Sequence, residues 1–190
     1  MRVFVAGATG VVGQFLVPSL VAAGHEVTGT TRSTAKAATL QAAGATPVIV
    51  DGLDRRAVLD AVKAAQPEVI VHQMTALASM SSFRNFDKEF AVTNELRTRG
   101  TDYLLEAAQQ AGTRRFIAQS FVGWNNIRTG GPVKTEDDPL DPSPIPSSRA
   151  ASRIRSSRGV RAIIRGRFDQ TKPTLVRWLA LWTGSVGPSC

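Results

Sequence analysis

Residues 5–13 read Val5-Ala6-Gly7-Ala8-Thr9-Gly10-Val11-Val12-Gly13, and their setting decides how the rest of the chain folds. The segment that leads into them, Arg2–Ala6, is short, apolar and rich in β-branched residues, which predicts a buried strand. Val11–Ala23 carries helical spacing and stops at Gly24. Three glycines spaced by three and three between a strand and a helix set backbone amides where a dinucleotide pyrophosphate would bind. Gly7 allows the tight turn, Gly10 lets the backbone approach the phosphates, and Gly13 lets the helix pack closely on the sheet. Thr9, Val11 and Val12 complete this cofactor loop. An ordinary glycine-rich turn is the alternative reading.

Outward from the loop, strands and helices alternate. Glu26–Thr31 and Thr46–Val50 predict the second and third strands, with a helix over Ser33–Ala43 between them. Asp54 is placed to N-cap the next helix, with Leu53 and Val58 as a hydrophobic staple. That helix repeats Val58, Ala61, Val62 and Ala65 at three- and four-residue spacing and stops before Pro67. Glu68–Val71 predicts a fourth strand, Asn85–Ala111 one long helix, and Arg115–Ala118 a fifth strand. Strand–helix–strand units at this spacing require right-handed crossovers and a parallel sheet with helices on both faces.

The second strand bears on the type of dinucleotide. An acidic residue at its end would bind a ribose 2′-hydroxyl and repel a 2′-phosphate. Here it ends Thr30-Thr31-Arg32-Ser33, with no acid. Arg32 can pair with a 2′-phosphate, helped by the hydroxyls of Thr31 and Ser33, so NADP is favoured and NAD stays open. A solvated surface arginine is the plainer alternative. Asp51, just after the third strand, can accept a hydrogen bond from the adenine amino group or serve as a turn residue.

Composition narrows the classes. With 43% hydrophobic and 20% charged residues over 190, the chain is built for one domain with a real core. No apolar stretch is long enough to span a membrane, and the start lacks the apolar run of a signal peptide, so the expectation is a cytoplasmic protein. The single cysteine, Cys190, and two separated histidines, His25 and His72, offer neither a disulfide framework nor a metal site. The net charge of +8 is not spread evenly. Residues 1–145 carry 14 basic and 14 acidic side chains, whereas 146–190 carry nine basic ones and one acid, Asp169. The compositions join in the proline-rich stretch 139–146.

With these residues in view, the chain resembles the extended short-chain dehydrogenase/reductase family, the NAD(P)-dependent epimerase/dehydratase group. Three segments carry the likeness: Val5–Gly13; Val69-Ile70-Val71-His72; and Gly100–Ala108 continuing through Ala111-Gly112 to Arg115–Ser120. The resemblance implies a Rossmann-like doubly wound parallel sheet of about five strands, a nicotinamide cofactor and a small carbonyl, hydroxyl or sugar-nucleotide-like substrate. By position it implies that Gly7, Gly10 and Gly13 hold the pyrophosphate and that His72, Gln73, Met74 and Thr75 line the cofactor crevice. It also implies that Ser120 is the catalytic serine that hydrogen-bonds the reacting oxygen. His72 is equally readable as a hydrogen-bonded strand-end residue, and Ser120 as an ordinary strand-end serine. Family members often dimerise through helices flanking the fifth strand, so a homodimer is implied as well.

Two departures qualify the likeness. The family's acid/base pair is Tyr-x-x-x-Lys, but the single tyrosine, Tyr103, precedes Ser120 and is followed four residues on by Ala107. Its spacing suits core packing. Asn94 lies six residues before Gly100, out of register with the family's asparagine. The likeness ends near Pro144, before any C-terminal substrate lobe. These features divide the chain into an NAD(P)-binding domain, residues 1–145, and an atypical Arg/Ser-rich tail, residues 146–190. Three readings of the tail stand: a basic arm for phosphates, a helix over Lys172–Thr183 that covers the sheet, or translation out of frame that leaves it disordered. Three functions follow: an oxidoreductase or epimerase whose catalytic half is absent or altered, a non-catalytic NADP-binding redox sensor, or a nucleic-acid binder through the tail. The neutral body disfavours the last.

Overall fold

The computed structural model describes residues 1–79 and 86–119, with two short strands further on, Val133–Lys134 and Phe168–Asp169. Five strands, β1 (Arg2–Ala6), β2 (Glu26–Thr31), β3 (Thr46–Ile49), β4 (Val69–His72) and β5 (Arg115–Ala118), form one sheet in the order β3-β2-β1-β4-β5. All four pairings are parallel. The chain winds outward from β1 to β3, returns to place β4 on the other side of β1, and winds outward again. The strand order therefore reverses between β1 and β4. The short strands beyond, β6 (Val133–Lys134) and β7 (Phe168–Asp169), pair antiparallel with each other.

The two-residue period of the strands builds two cores. On β1, Val3 and Val5 point to one face and Phe4 and Ala6 to the other, all nearly inaccessible to water. The first face packs on α1 (Gly13–Ala22) through Val17 and Leu20, and on α2 (Thr34–Ala42) through Leu40. The second face packs on α3 (Arg55–Ala65) through Val58, Ala61 and Val62, and on α5 (Thr101–Gln110) through Leu104, Ala107 and Ala108. Helices on both faces of a parallel sheet are the expected architecture; of the four predicted core positions of α3, Val58, Ala61 and Val62 are buried and Ala65 is partly buried against the same core.

Helix ends follow local chemistry. The Asp54 carboxylate accepts the Ala57 amide at 3.0 Å and caps α3, as its sequence position predicts. Gln66 ends that helix in a left-handed conformation, φ 43°, immediately before Pro67. The first helix starts two residues later than predicted, at Gly13, because Val11 and Val12 are taken up by the glycine turn.

The long helix predicted over Asn85–Ala111 is also modified. It runs as α4 (Phe86–Glu95), a wider π-helical segment Leu96–Gly100, and α5. Two threonines satisfy carbonyls in the wide turn: Thr98 Oγ1 donates to the Asn94 carbonyl at 2.8 Å and Thr101 Oγ1 to that of Arg97 at 2.7 Å. Apart from Phe168–Asp169, the tail, with the predicted helix over Lys172–Thr183, lies outside the described residues, as does Ser120.

Gly13 is the tightest point of the fold. A Cβ there would lie 2.2 Å from the Ala8 carbonyl oxygen and 2.7 Å from that of Gly7, both backbone atoms that cannot swing aside. Gly13→Ala should therefore destabilise the chain by about 2 to 4 kcal/mol, measured by chemical denaturation, because loop and helix must separate.

Candidate functional site

The carboxyl ends of β1, β2 and β4 converge on the loop 7–13. Gly7 adopts φ 87°, which lets its backbone run against the loop that follows β4. A side chain there would approach the Gln73 carbonyl and the Met74 amide to 2.9 Å. Gly10 differs: it is exposed, and a Cβ would meet only the Gly7 carbonyl, at 3.3 Å. Gly7 and Gly13 are thus required by the protein's own packing, whereas Gly10 is the glycine whose backbone faces solvent.

The loop is fastened to β2. The Gly7 amide donates to Thr30 Oγ1 at 2.9 Å, the Ala8 amide to the Thr30 carbonyl at 3.1 Å, and the Thr9 hydroxyl to Thr31 Oγ1 at 3.2 Å. Thr31 Oγ1 in turn accepts the Ser33 amide at 3.1 Å. Thr30 and Thr31 are both buried. These bonds fix the start of α1 relative to the end of β2. At the start of α1, Val12 makes no side-chain capping bond and the first turn holds no acidic residue. The positive end of that helix dipole is left open for an anion.

Just past β2, Arg32 is exposed, and the Ser33 hydroxyl caps α2 by accepting the Lys36 amide at 3.4 Å. Lys36 is exposed on the first turn of α2, which also lacks an acidic residue. Two cations flanking a helix N-terminus make this corner attractive to phosphate. The sequence reading missed Lys36, although the signal was there: a lysine three residues after an N-capping serine returns to the same end of the helix as Arg32. Asp51 is exposed and accepts the Leu53 amide at 3.0 Å through Oδ1, forming a local turn.

His72 has the opposite environment. Its ring is buried, with Nε2 3.2 Å from the Leu96 carbonyl in the π-helical segment and Nδ1 accepting the Met74 amide at 3.2 Å. That pattern requires a neutral ring with the proton on Nε2. Both nitrogens are engaged within the protein, so the ring orients the loop after β4 and has no nitrogen left over for a ligand. Met74 fills the space between Gly52 and Gly100, where a Cβ on Gly52 would lie 2.3 Å from the methionine sulfur. Tyr103 is half-buried on α5, and its hydroxyl accepts the Arg99 guanidinium at 3.1 and 3.3 Å.

Burial lowers the His72 pKa to about 4, with the nearby Arg97 charge acting in the same direction and the Leu96 carbonyl opposing both. The unfolded chain therefore binds the proton that the folded chain refuses. The neutral ring's contribution is complete above the ordinary histidine pKa of about 6.5 and is lost as pH falls toward 4, amounting to about 3 kcal/mol. Denaturation midpoints measured from pH 7 to 4 should fall more steeply for the wild-type chain than for His72→Gln.

Comparison with known proteins agrees with this geometry. The family model described as NAD(P)H-binding matches residues 7–167. A 3-diazoavenalumate denitrifying reductase from Streptomyces sp. is 48% identical over 140 residues, covering 74% of this chain and 44% of that protein. A 4-hydroxy-2-methyl-3-oxo-4-farnesyl-3,4-dihydroquinoline-1-oxide ketoreductase from Stigmatella aurantiaca is 36% identical over 117 residues, 62% of this chain and 32% of that protein. The chain spans less than half the length of these curated relatives. Among solved structures, the UDP-glucose 4-epimerase of Thermus thermophilus in complex with NAD superposes with a TM-score of 0.65 at 21% identity, covering 97% of this chain and 51% of that one. That likeness is one of fold. With the glycine loop, the strand order and the match over most of its length, the chain belongs to the NAD(P)H-binding family.

Proposed function

We propose that this chain is the cofactor-holding part of an NADPH-dependent reductase acting on a small molecule. The observation that carries the reading is the joined loop and corner: an open helix N-terminus at residues 10–13, hydrogen-bonded to a β2 end that presents Arg32, Ser33 and Lys36 and no acid. The Gly10 amide is held by the Gly7 carbonyl at 3.1 Å, so the amides after it would receive the pyrophosphate, and Arg32 with Lys36 the 2′-phosphate. Asp51 would accept the adenine amino group. Bound NADPH supplies a hydride; the protein's part is to hold and orient it. Reduction is preferred to epimerisation because the relatives at 48% and 36% identity are named as reductases, whereas the epimerase likeness, at 21%, concerns the fold.

By family position Ser120, directly after Gln119, would hydrogen-bond the reacting oxygen. The Gln119 amide donates to the His72 carbonyl at 2.9 Å, so the β4–β5 pairing continues to the residue before it. A second reading, a dinucleotide-binding module that senses redox state without turnover, is favoured by one feature. The single tyrosine has no lysine four residues on, and Arg99 occupies its hydroxyl. NADPH oxidation in the presence of carbonyl substrates separates the two.

The cofactor assignment is tested by titrating the purified chain with NADPH and NADH. NADPH should bind more tightly, and Arg32→Ala should weaken it by roughly tenfold while leaving NADH nearly unchanged, the loss expected for one charge-assisted contact. Equal affinities for both nucleotides, unaltered by Arg32→Ala, would reject the 2′-phosphate site.

A further inference from the structure

We infer that the outer face of α1 and α2 is the surface through which two copies of this chain pair; the inference is independent of the cofactor reading above. The ten residues of α1 include no charged side chain, and the nine of α2 include one, Lys36. On the other side of the sheet, α3 carries Arg55, Arg56, Asp60 and Lys63, and α5 carries Asp102 and Glu106. A helix layer that faces water ordinarily sets charge on its outer side, as α3 does. The layer of α1 and α2 does not, although its inner side is already packed on the sheet.

The exposed side chains repeat one spacing on both helices. Phe15, Pro18 and Ala22 on α1 and Ala35, Ala38 and Ala42 on α2 are all exposed, each set at steps of three and four residues and so on one side of its helix. The core residues Val17, Leu20 and Leu40 fall on the opposite side. Phe15 alone leaves 55% of its surface in water. The two helices come together at their carboxyl ends, where a Cβ on Gly44 would lie 2.9 Å from Val21 Cγ1. Their stripes therefore border one uncharged surface, the kind that marks an interaction site.

Charge decides the occupant. A partner recognised through ion pairs finds one cation on these helices and no acid. A second copy of the same face suits it, because a two-fold interface sets the patch against itself and an uncharged patch opposes no like charges. Two chains of net charge +8 also repel least where neither presents charge. The chain's own continuation starts elsewhere: α2 packs on β3 at one edge of the sheet, and the residues after Gln119 leave from β5 at the other.

The test is sedimentation velocity on the purified chain over a range of concentrations. Two short helices make a small interface, so the expected result is a dimer that dissociates in the micromolar range, about 1 to 100 µM. Phe15→Lys and Ala38→Lys should each weaken it tenfold or more by placing an unpaired charge in the interface, with melting temperatures like that of the wild-type monomer because both positions face solvent. If one variant fails to fold, the other carries the comparison. Val92→Lys, at an exposed position on α4, which leads into α5 on the opposite face, should leave the dimer unchanged. A wild-type chain that stays monomeric throughout would overturn the inference and leave this face to another segment or partner. A dimer broken by Val92→Lys and untouched by Phe15→Lys and Ala38→Lys would overturn it as well, placing the contact on α4.

Discussion

The candidate site depends on how closely the backbone of residues 7–13 runs to itself and to residues 73–74. Two contacts define that closeness. Gly13 lies against the Ala8 carbonyl at a distance no side chain tolerates, and Gly7 lies against Gln73 and Met74 in a backbone conformation that β-carbon-bearing residues seldom adopt. If either contact opens, α1 lifts from the sheet and its amides lose their aim. Hydrogen bonds from residues 7, 8 and 9 to Thr30 and Thr31 then carry this geometry sideways to β2, so that the glycine loop and the Arg32 corner are joined. The burial of the polar Thr30 and Thr31 at the end of β2 is explained by that duty.

Much of this was legible in the sequence, for identifiable reasons. The strands announce themselves because β1 and β4 are buried on both faces and must be continuously apolar. The glycines announce themselves because their spacing reflects backbone geometry, and the Asp54 cap because capping is local. Lys36 was overlooked although its spacing from Ser33 was visible; it matters only once α2 is known to start beside Arg32.

Other features were hidden because they depend on contacts between distant segments. A continuous helix and one with a π-helical turn have nearly the same apolar spacing, so Asn85–Ala111 read as a single α-helix. The wide turn is evident only once the Leu96 carbonyl is seen 3.2 Å from a histidine 24 residues earlier, with Thr98 and Thr101 bonded back onto the helix. For the same reason the role of His72 stayed ambiguous. A histidine at a strand end looks the same in sequence whether its ring meets a ligand or a carbonyl.

The π-helical segment also bears on the register of Asn94. Widening a turn inserts a residue without ending the helix, which shifts everything before it relative to everything after. Gly100 packs beside the loops that follow β3 and β4, close to Gly52 and Met74, and Thr101 is buried. The shift therefore falls on α4, and an asparagine six residues before Gly100 cannot be placed by counting along an ideal helix. His72 fixes where the inserted residue is accommodated, since its Nε2 proton points at the Leu96 carbonyl that opens the wide turn. One neutral imidazole thus sets two things at once: the path of the loop carrying Gln73 and Met74, and the helical phase of α4. Protonating it would give Nδ1 a proton facing the Met74 amide, two donors opposed, and would loosen both together. The burial that keeps the ring neutral is therefore part of how the crevice is built.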